Sequence, residues 1–228
     1  MKKSPLKIDL HVHTCYSEDA STTPKEVVYY AKKNGLDGVA ITDHNTLKGA
    51  FKLAKKRELI IIPGLEVATH RCHVLALNVT TQIPPKLGIV ETVQRIHDAG
   101  GVTVIAHPSV VLKTGLGLEI NSSLNLDAVE VINSSSFPFF LTTHLSHKLA
   151  QRLRLPQTAG SDSHHAQEIG TAYTLVKADS NTDDVIEAIQ KGAITPYGKP
   201  ITWTKRIGRG AFYITNLRRR LYSSKFSS

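Results

Sequence analysis

Short apolar runs recur along this chain, and most of them end on a histidine or a carboxylate. The phrases are Asp9-Leu10-His11-Val12-His13, Thr42-Asp43-His44, Ala106-His107-Pro108 and Ser161-Asp162-Ser163-His164. Glu66 holds a similar place after Ile60-Ile61-Ile62-Pro63-Gly64. Segments with helical spacing separate the runs, so strand and helix alternate. That order argues for an α/β fold with a mainly parallel sheet. Parallel strands bring their polar ends to one side, and a ring of imidazoles and carboxylates there suits a multinuclear metal site. Hydrolysis by a metal-activated water is therefore the first expectation.

The strands read as 7–12, 38–42, 59–62, 73–77, 102–106, 127–132 and 173–176. Thr23-Pro24 supplies an N-cap and a first-turn proline for a helix that closes at Gly35. Further helices are expected over 46–57, 89–99, 139–153 and 183–190, with 114–125 an irregular loop. The length suits one domain. We expect a catalytic barrel over 1–199 and a basic extension over 200–228, with a helix over 212–222.

Charge is unevenly placed. Net charge is +9, from 28 Lys and Arg against 19 Asp and Glu. No acid follows Glu187, and nine bases do, leaving 19 bases against 19 acids before it. A basic tail on a neutral body suits contact with nucleic acid or another polyanion, or a solvated chain end. No run approaches the roughly 18 apolar residues of a membrane span. The Met1-Lys-Lys-Ser-Pro start lacks an apolar segment behind it, and two distant cysteines form no disulfide framework. These features lead us to expect a cytoplasmic protein without membrane contact.

His11 and His13, two apart on a strand, share one face. Asp162 and His164 repeat that spacing. Asp43 is placed to orient a neighbouring imidazole. A buried Glu66 needs a cation or hydrogen-bond partner. His73 begins its strand rather than ending it, and is the weakest on spacing. Donors of nitrogen and oxygen without thiolate suit zinc, manganese or iron. Each residue taken singly has an ordinary reading as a packed or surface side chain; the series is what points to metal.

Asp9-Leu-His11-Val-His13-Thr, Ile-Thr-Asp-His44-Asn, Pro-Gly-Leu-Glu66-Val, Ile-Ala-His107-Pro and Gly-Ser-Asp162-Ser-His164 resemble, in order, the motifs of the PHP (polymerase and histidinol phosphatase) family. The resemblance implies a distorted (β/α)7 barrel with the site at the C-terminal strand ends. It also implies phosphoester hydrolysis by a metal-activated hydroxide at a trinuclear centre. Three divalent ions are then expected, Mn or Zn, with Fe or Mg as alternatives. By motif, His11 and His13 bind one ion with Glu66 and Asp162. His44 binds a second with Asp162 and a loop acid, Asp19 in preference to Glu18. Glu66, His73, His107 and His164 hold the third.

Asp162 is thus both ligand and catalytic candidate. His165 is a candidate to contact phosphate or protonate the leaving oxygen. Arg71, Lys113 and Asn133 are candidate substrate contacts. The expected substrate is a phosphomonoester of a small metabolite or nucleotide. A nuclease or nucleoside-bisphosphate phosphatase using the basic tail is the alternative within catalysis. From another class, the chain resembles the PHP-like ribonuclease P subunit, a non-catalytic RNA-binding scaffold, but such scaffolds lack the ligand set retained here.

Overall fold

The computed structural model describes residues 4–56, 58–108 and 120–210. Nine strands form one sheet: β1 (Leu6–Val12), β2 (Gly38–Ile41), β3 (Ile60–Ala68), β4 (His73–Leu77), β5 (Val102–Ile105), β6 (Ala128–Asn133), β7 (Gln157–Gly160), β8 (Ala172–Val176) and β9 (Ile194–Gly198). Their spatial order is β7-β6-β5-β4-β3-β2-β1-β8-β9. The sheet curls until its ends meet. The His13 N–H donates to the Ser163 carbonyl, and the Asp162 N–H to that of His11, so the chain after β7 lies along the end of β1. Gly160 permits this approach, because a Cβ there would collide with the His11 side chain. The result is a nearly closed α/β barrel, as expected.

The expected mainly parallel pairing needs correction. β1–β2, β2–β3, β5–β6 and β6–β7 are parallel. β1–β8, β3–β4, β4–β5 and β8–β9 are antiparallel. The strand read as 59–62 continues through Pro63-Gly64 to Ala68, because it changes neighbours there. Its first half pairs with β2 and its second half with β4. β4 returns directly in a hairpin, with no helix between.

Helices α1 (Pro24–Lys33), α2 (Lys48–Leu53), α3 (Ile89–Asp98), α4 (Phe139–Leu153) and α5 (Thr182–Gln190) cover the barrel. Thr23 and Glu26 close a reciprocal capping box at the start of α1. The helix expected over 46–57 is only α2. Val27, Ala31, Ala50 and Leu53 pack on Val39, Ile41, Leu65 and Val67. Val93, Leu149 and Ala150 pack on Ile105, Val129 and Val131. A third cluster joins Ile8, Leu10, Ala40, Ile62, Leu75 and Val104 to Val185, Ile186 and Ile189 of α5.

One irregularity in β1 sets the position of the site. Leu10 belongs with Ile62 and Leu75, whereas Val12 belongs with Val39 and Leu65. Strict alternation would put Leu10 and Val12 on one face. A register shift between Asp9 and Val12 resets the phase. It turns His11 and His13 onto the face that Leu10 occupied one step earlier.

From 203 to 210 the described chain is helical again. The Ile201 N–H donates to the Ser134 carbonyl, and Ile201 is buried. The Arg206 guanidinium donates to the carbonyls of Ser135 and Ser136, at 2.8 and 2.9 Å. This part of the basic extension therefore lies against the barrel rim. The helix expected over 212–222 lies outside the described residues.

Candidate metal centre

His11, His13, His44, His107, Asp162 and His164 lie at or just past the C-terminal ends of β1, β2, β5 and β7. His73 joins them although it begins its strand, because β4 runs antiparallel to β3 and starts where the others finish. Glu66, in the second half of β3, stands in the middle.

Five imidazoles surround the Glu66 carboxylate. Oε2 lies 3.3 Å from His11 Nε2, 3.2 Å from His13 Nε2 and 3.1 Å from His44 Nδ1. Oε1 lies 2.7 Å from His73 Nδ1 and 3.0 Å from His107 Nε2. Asp162 Oδ1 is 3.3 Å from His13 Nε2 and 3.6 Å from His11 Nε2. Asp19 Oδ2 bridges His164 Nε2 at 3.1 Å and His44 Nε2 at 3.3 Å. Glu18, the alternative loop acid, is exposed.

Grouping by proximity gives His11, His13 and Glu66; His11, His107 and Asp162; His44, Glu66 and His73; and His13, His44 and His164. His164 thus stands with His44 and Asp19. The motif-based grouping with Glu66, His73 and His107 is not what the fold brings together. Ser163 pairs with Val12, which places the next residue on the side of the β1 loop, away from β4 and β5.

This donor set fits cations better than protons. A carboxylate offers about four lone-pair sites, and five ring nitrogens converge on Glu66. His11 Nε2 and His13 Nε2 are 3.1 Å apart, so one shared proton can serve only one of them as donor. Asp19 Oδ1 is buried without a hydrogen-bond partner among the described residues. Burial pushes the Glu66 carboxyl up, but His11 and His107 outweigh it and hold it well below the usual range. Asp162 follows the same balance, against His11 and His13. Burial pushes His44 down, but Asp19 and Glu66 raise it to about 9. The pocket therefore draws positive charge, which divalent ions provide without protonating the ligands.

A supporting layer was largely missed at the sequence level. Glu130 Oε1 lies 2.9 Å from His11 Nδ1, and its Oε2 accepts from the His107 N–H and Asn133 Nδ2. A carboxylate within Ala128-Val-Glu-Val-Ile was the available signal, since such a charge cannot be buried unpaired. Asp43 does not touch an imidazole. It accepts from the Ser17 hydroxyl and from Thr14, and Ser17 in turn lies 3.2 Å from His13 Nδ1. Asp9 receives the N–H groups of Ser161 and Gly170, while burial raises its carboxyl to about 6. Glu168 receives the N–H groups of His164 and His165 and is forked by Arg209, whose Nη2 also donates to the Asp162 carbonyl at 2.7 Å.

Among the substrate candidates, Asn133 is buried and donates to Asp162 Oδ2 at 3.2 Å, so it orients that carboxylate. His165 Nδ1 is 2.7 Å from the Ser21 hydroxyl, beside a cavity of about 380 Å³ that Lys205 also lines. Arg71 is exposed on the β3–β4 hairpin. Lys113 lies outside the described residues.

A two-domain protein of Bacteroides vulgatus containing a predicted PHP-like metal-dependent phosphoesterase superposes with a TM-score of 0.68 at 17% identity. The match covers 86% of this chain and 65% of that one, just under two thirds. A protein of Methanocaldococcus jannaschii is 35% identical over 142 residues, 57% of this chain and 82% of that protein. Residues 143–194 match a family model described as PHP-associated. The chain belongs to the PHP family. A shorter match, to the 5'-3' exoribonuclease Rnm of Escherichia coli, is 35% identical over 88 residues, 33% of this chain and 29% of that enzyme. Among the described residues no helix is long and apolar enough to cross a membrane.

Proposed function

We propose that this PHP protein is a metal-dependent phosphoesterase that hydrolyses the phosphomonoester of a nucleotide or small metabolite at a trinuclear centre. The convergence of five imidazoles on Glu66 carries this reading. His11, His13, Glu66 and Asp162 would hold one ion, Asp19, His44 and His164 a second, and Glu66, His73 and His107 the third. Mn or Zn suits these donors, with Fe or Mg as alternatives. Bound there, divalent ions supply Lewis acidity toward phosphoryl oxygens and a nucleophile from water at neutral pH.

The protein's own groups prepare that chemistry. Glu130 holds His11 through Nδ1, which leaves Nε2 facing the pocket. Ser17 does the same for His13. Asn133 steadies one oxygen of Asp162 and leaves the other among the imidazoles. Asp162, kept anionic, is the residue placed to accept a proton from an attacking water. Burial lowers His165 below its ordinary value. A neutral ring, with Nδ1 2.7 Å from the Ser21 hydroxyl, carries no extra proton. That suits a phosphate contact better than proton donation to the leaving group.

A nuclease is the second reading, favoured by the basic helix of residues 203–210 against the rim. In this reading residues 1–199 are the catalytic unit, and the extension from 200 guides a polyanion to it. A phosphoester panel tests both, using metal-depleted protein reloaded with Mn or Zn. It includes mononucleotides, 3',5'-bisphosphates, histidinol phosphate and short RNA. Metal-dependent release of phosphate from a monoester supports the first reading, and cleavage of RNA alone supports the second. RNA binding without turnover on any substrate returns the chain to the scaffold class.

A further inference from the structure

Asp162 has an unusual backbone conformation. Its φ is 51°, in the left-handed region that residues with a Cβ seldom adopt. Such a conformation persists where its surroundings over-determine it. The Asp162 N–H donates to the His11 carbonyl at 2.8 Å. Its own carbonyl draws three donors: Arg209 Nη2 at 2.7 Å, the Ser135 hydroxyl at 3.0 Å and His164 Nδ1 at 3.0 Å. A carbonyl oxygen only accepts, so His164 carries a proton on Nδ1, and Nε2 is the nitrogen that faces Asp19.

The helix of residues 203–210 supplies this support. It docks on the barrel rim, where the Ile201 N–H donates to the Ser134 carbonyl and Trp203 meets Phe137 edge to face at 5.5 Å. Arg206 and Arg209, one turn apart, reach different loops. Arg206 holds the Ser135 and Ser136 carbonyls, and so the loop whose Ser135 hydroxyl touches Asp162. Arg209 forks the buried Glu168, which receives the His164 and His165 N–H groups. The two loops meet at one oxygen, the Asp162 carbonyl.

We infer that Arg209, seconded by Arg206 through Ser135, is a positioning residue that sets the candidate metal ligands Asp162 and His164 together. The inference rests on the metal-centre reading and adds a part of the chain to it. Asp162 groups with His11 and His107, and His164 with His13 and His44. One carbonyl oxygen therefore joins two prospective ion sites, and docking of the extension sets both at once. The catalytic unit then runs past residue 199 to at least Arg209. A helix that merely covered the rim would lower the melting temperature and leave ion affinities intact.

Ion binding reads this directly. Full-length wild type and Arg209→Ala are depleted of metal, reloaded with Mn and titrated with a chelator, and bound ions are counted by elemental analysis. Arg209→Ala should lower the affinity for two ions in parallel, by about threefold each. That is less than the loss of a group touching a ligand ring, because Arg209 acts through backbone. Asp19→Asn should weaken one ion class alone. Millimolar guanidinium should restore Arg209→Ala, and tetramethylammonium at the same concentration should not. Arg209→Lys, which keeps the charge without the fork, should recover part of the loss.

Unchanged affinities in Arg209→Ala, a loss confined to one ion, or a loss that guanidinium leaves in place would overturn the inference. Should Arg209→Ala fail to fold, Ser135→Ala removes another donor from the same oxygen and should show a smaller parallel loss. Unchanged affinities in Ser135→Ala would then overturn it. A wild type that binds no divalent ion would remove the metal-centre reading itself. A wild type that binds its ions no more tightly than Arg209→Ala removes this inference alone.

Discussion

The two sides of the centre are built differently. His11, His13 and Glu66 are buried, and each imidazole is held from behind, by Glu130 or through Ser17 from Asp43. His44, His73 and Asp19 form a rim open to solvent, His73 with 37% of its side chain exposed. They are oriented mainly by one another and by Glu66. The inner side is preorganised by hydrogen bonds that no ligand supplies, and the rim depends on what it binds. Inner positions should therefore behave as all or none, and rim positions as graded.

The comparison is broken most severely at Asp162. Asp162→Ala should abolish metal-dependent turnover, by about a thousandfold or more, and lower the bound metal measured by elemental analysis. Full activity in that variant would sink the ligand assignment. Next comes the support behind the inner side. Glu130→Ala should weaken metal binding by about 10- to 100-fold in a chelator competition. Unchanged affinity there would mean that His11 needs no orientation. At the rim, His73→Ala and Asp19→Asn should each cost about tenfold in affinity for one class of ion. Glu18→Gln should remain within about twofold. A larger loss at Glu18 than at Asp19 would reverse the choice of loop acid.

The smallest effect concerns the latch between the C-terminal helix and the ligand loop. Burial pushes the Glu168 carboxyl up, but Arg209 and the His165 and His164 N–H groups outweigh it, so the folded group titrates below the ordinary value of 4.5. A lowered carboxylate adds stability above its unfolded value. That stability is lost as pH falls through the folded value. Between pH 7 and 5 the latch should therefore hold, and it should release only as pH falls below 4.5 through the lowered folded value. Arg209→Gln should flatten the acid limb of a Tm-against-pH curve and raise KM by a few-fold. An unchanged acid limb would show that the Arg209–Glu168 pair contributes nothing to docking.

Much of this molecule is legible in its sequence. The apolar runs, the capping signal at Thr23-Pro24 and the ordered His and Asp phrases marked seven of the nine strands, α1 and the candidate ligands. Legibility was poorest where a residue's role depends on a neighbour distant in sequence. Pro63-Gly64 read as the end of a strand, yet β3 continues because β4 folds back to pair with it. His73 read weakly because strand direction, which spacing does not carry, decides which end of β4 faces the site. Glu130 read as part of a core strand, since its partners His11, His107 and Asn133 come from three other places in the chain.

The sequence by itself determined most of the inventory: seven of the nine strands, which donors stand at strand ends, and that the excess positive charge lies after Glu187, whereas β7 and β9 were not marked. Those properties are local, set by side-chain periodicity and by the cost of leaving charge unpaired. Tertiary structure alone decided how the candidate ligands group. A register shift in β1 turns His11 and His13 inward, and closure of β7 onto β1 carries His164 to Asp19 rather than to His107. It also decided that Trp203 stands beside Phe137, because hydrogen bonds from Arg206 to the loop after β6 bring the extension back to the barrel mouth.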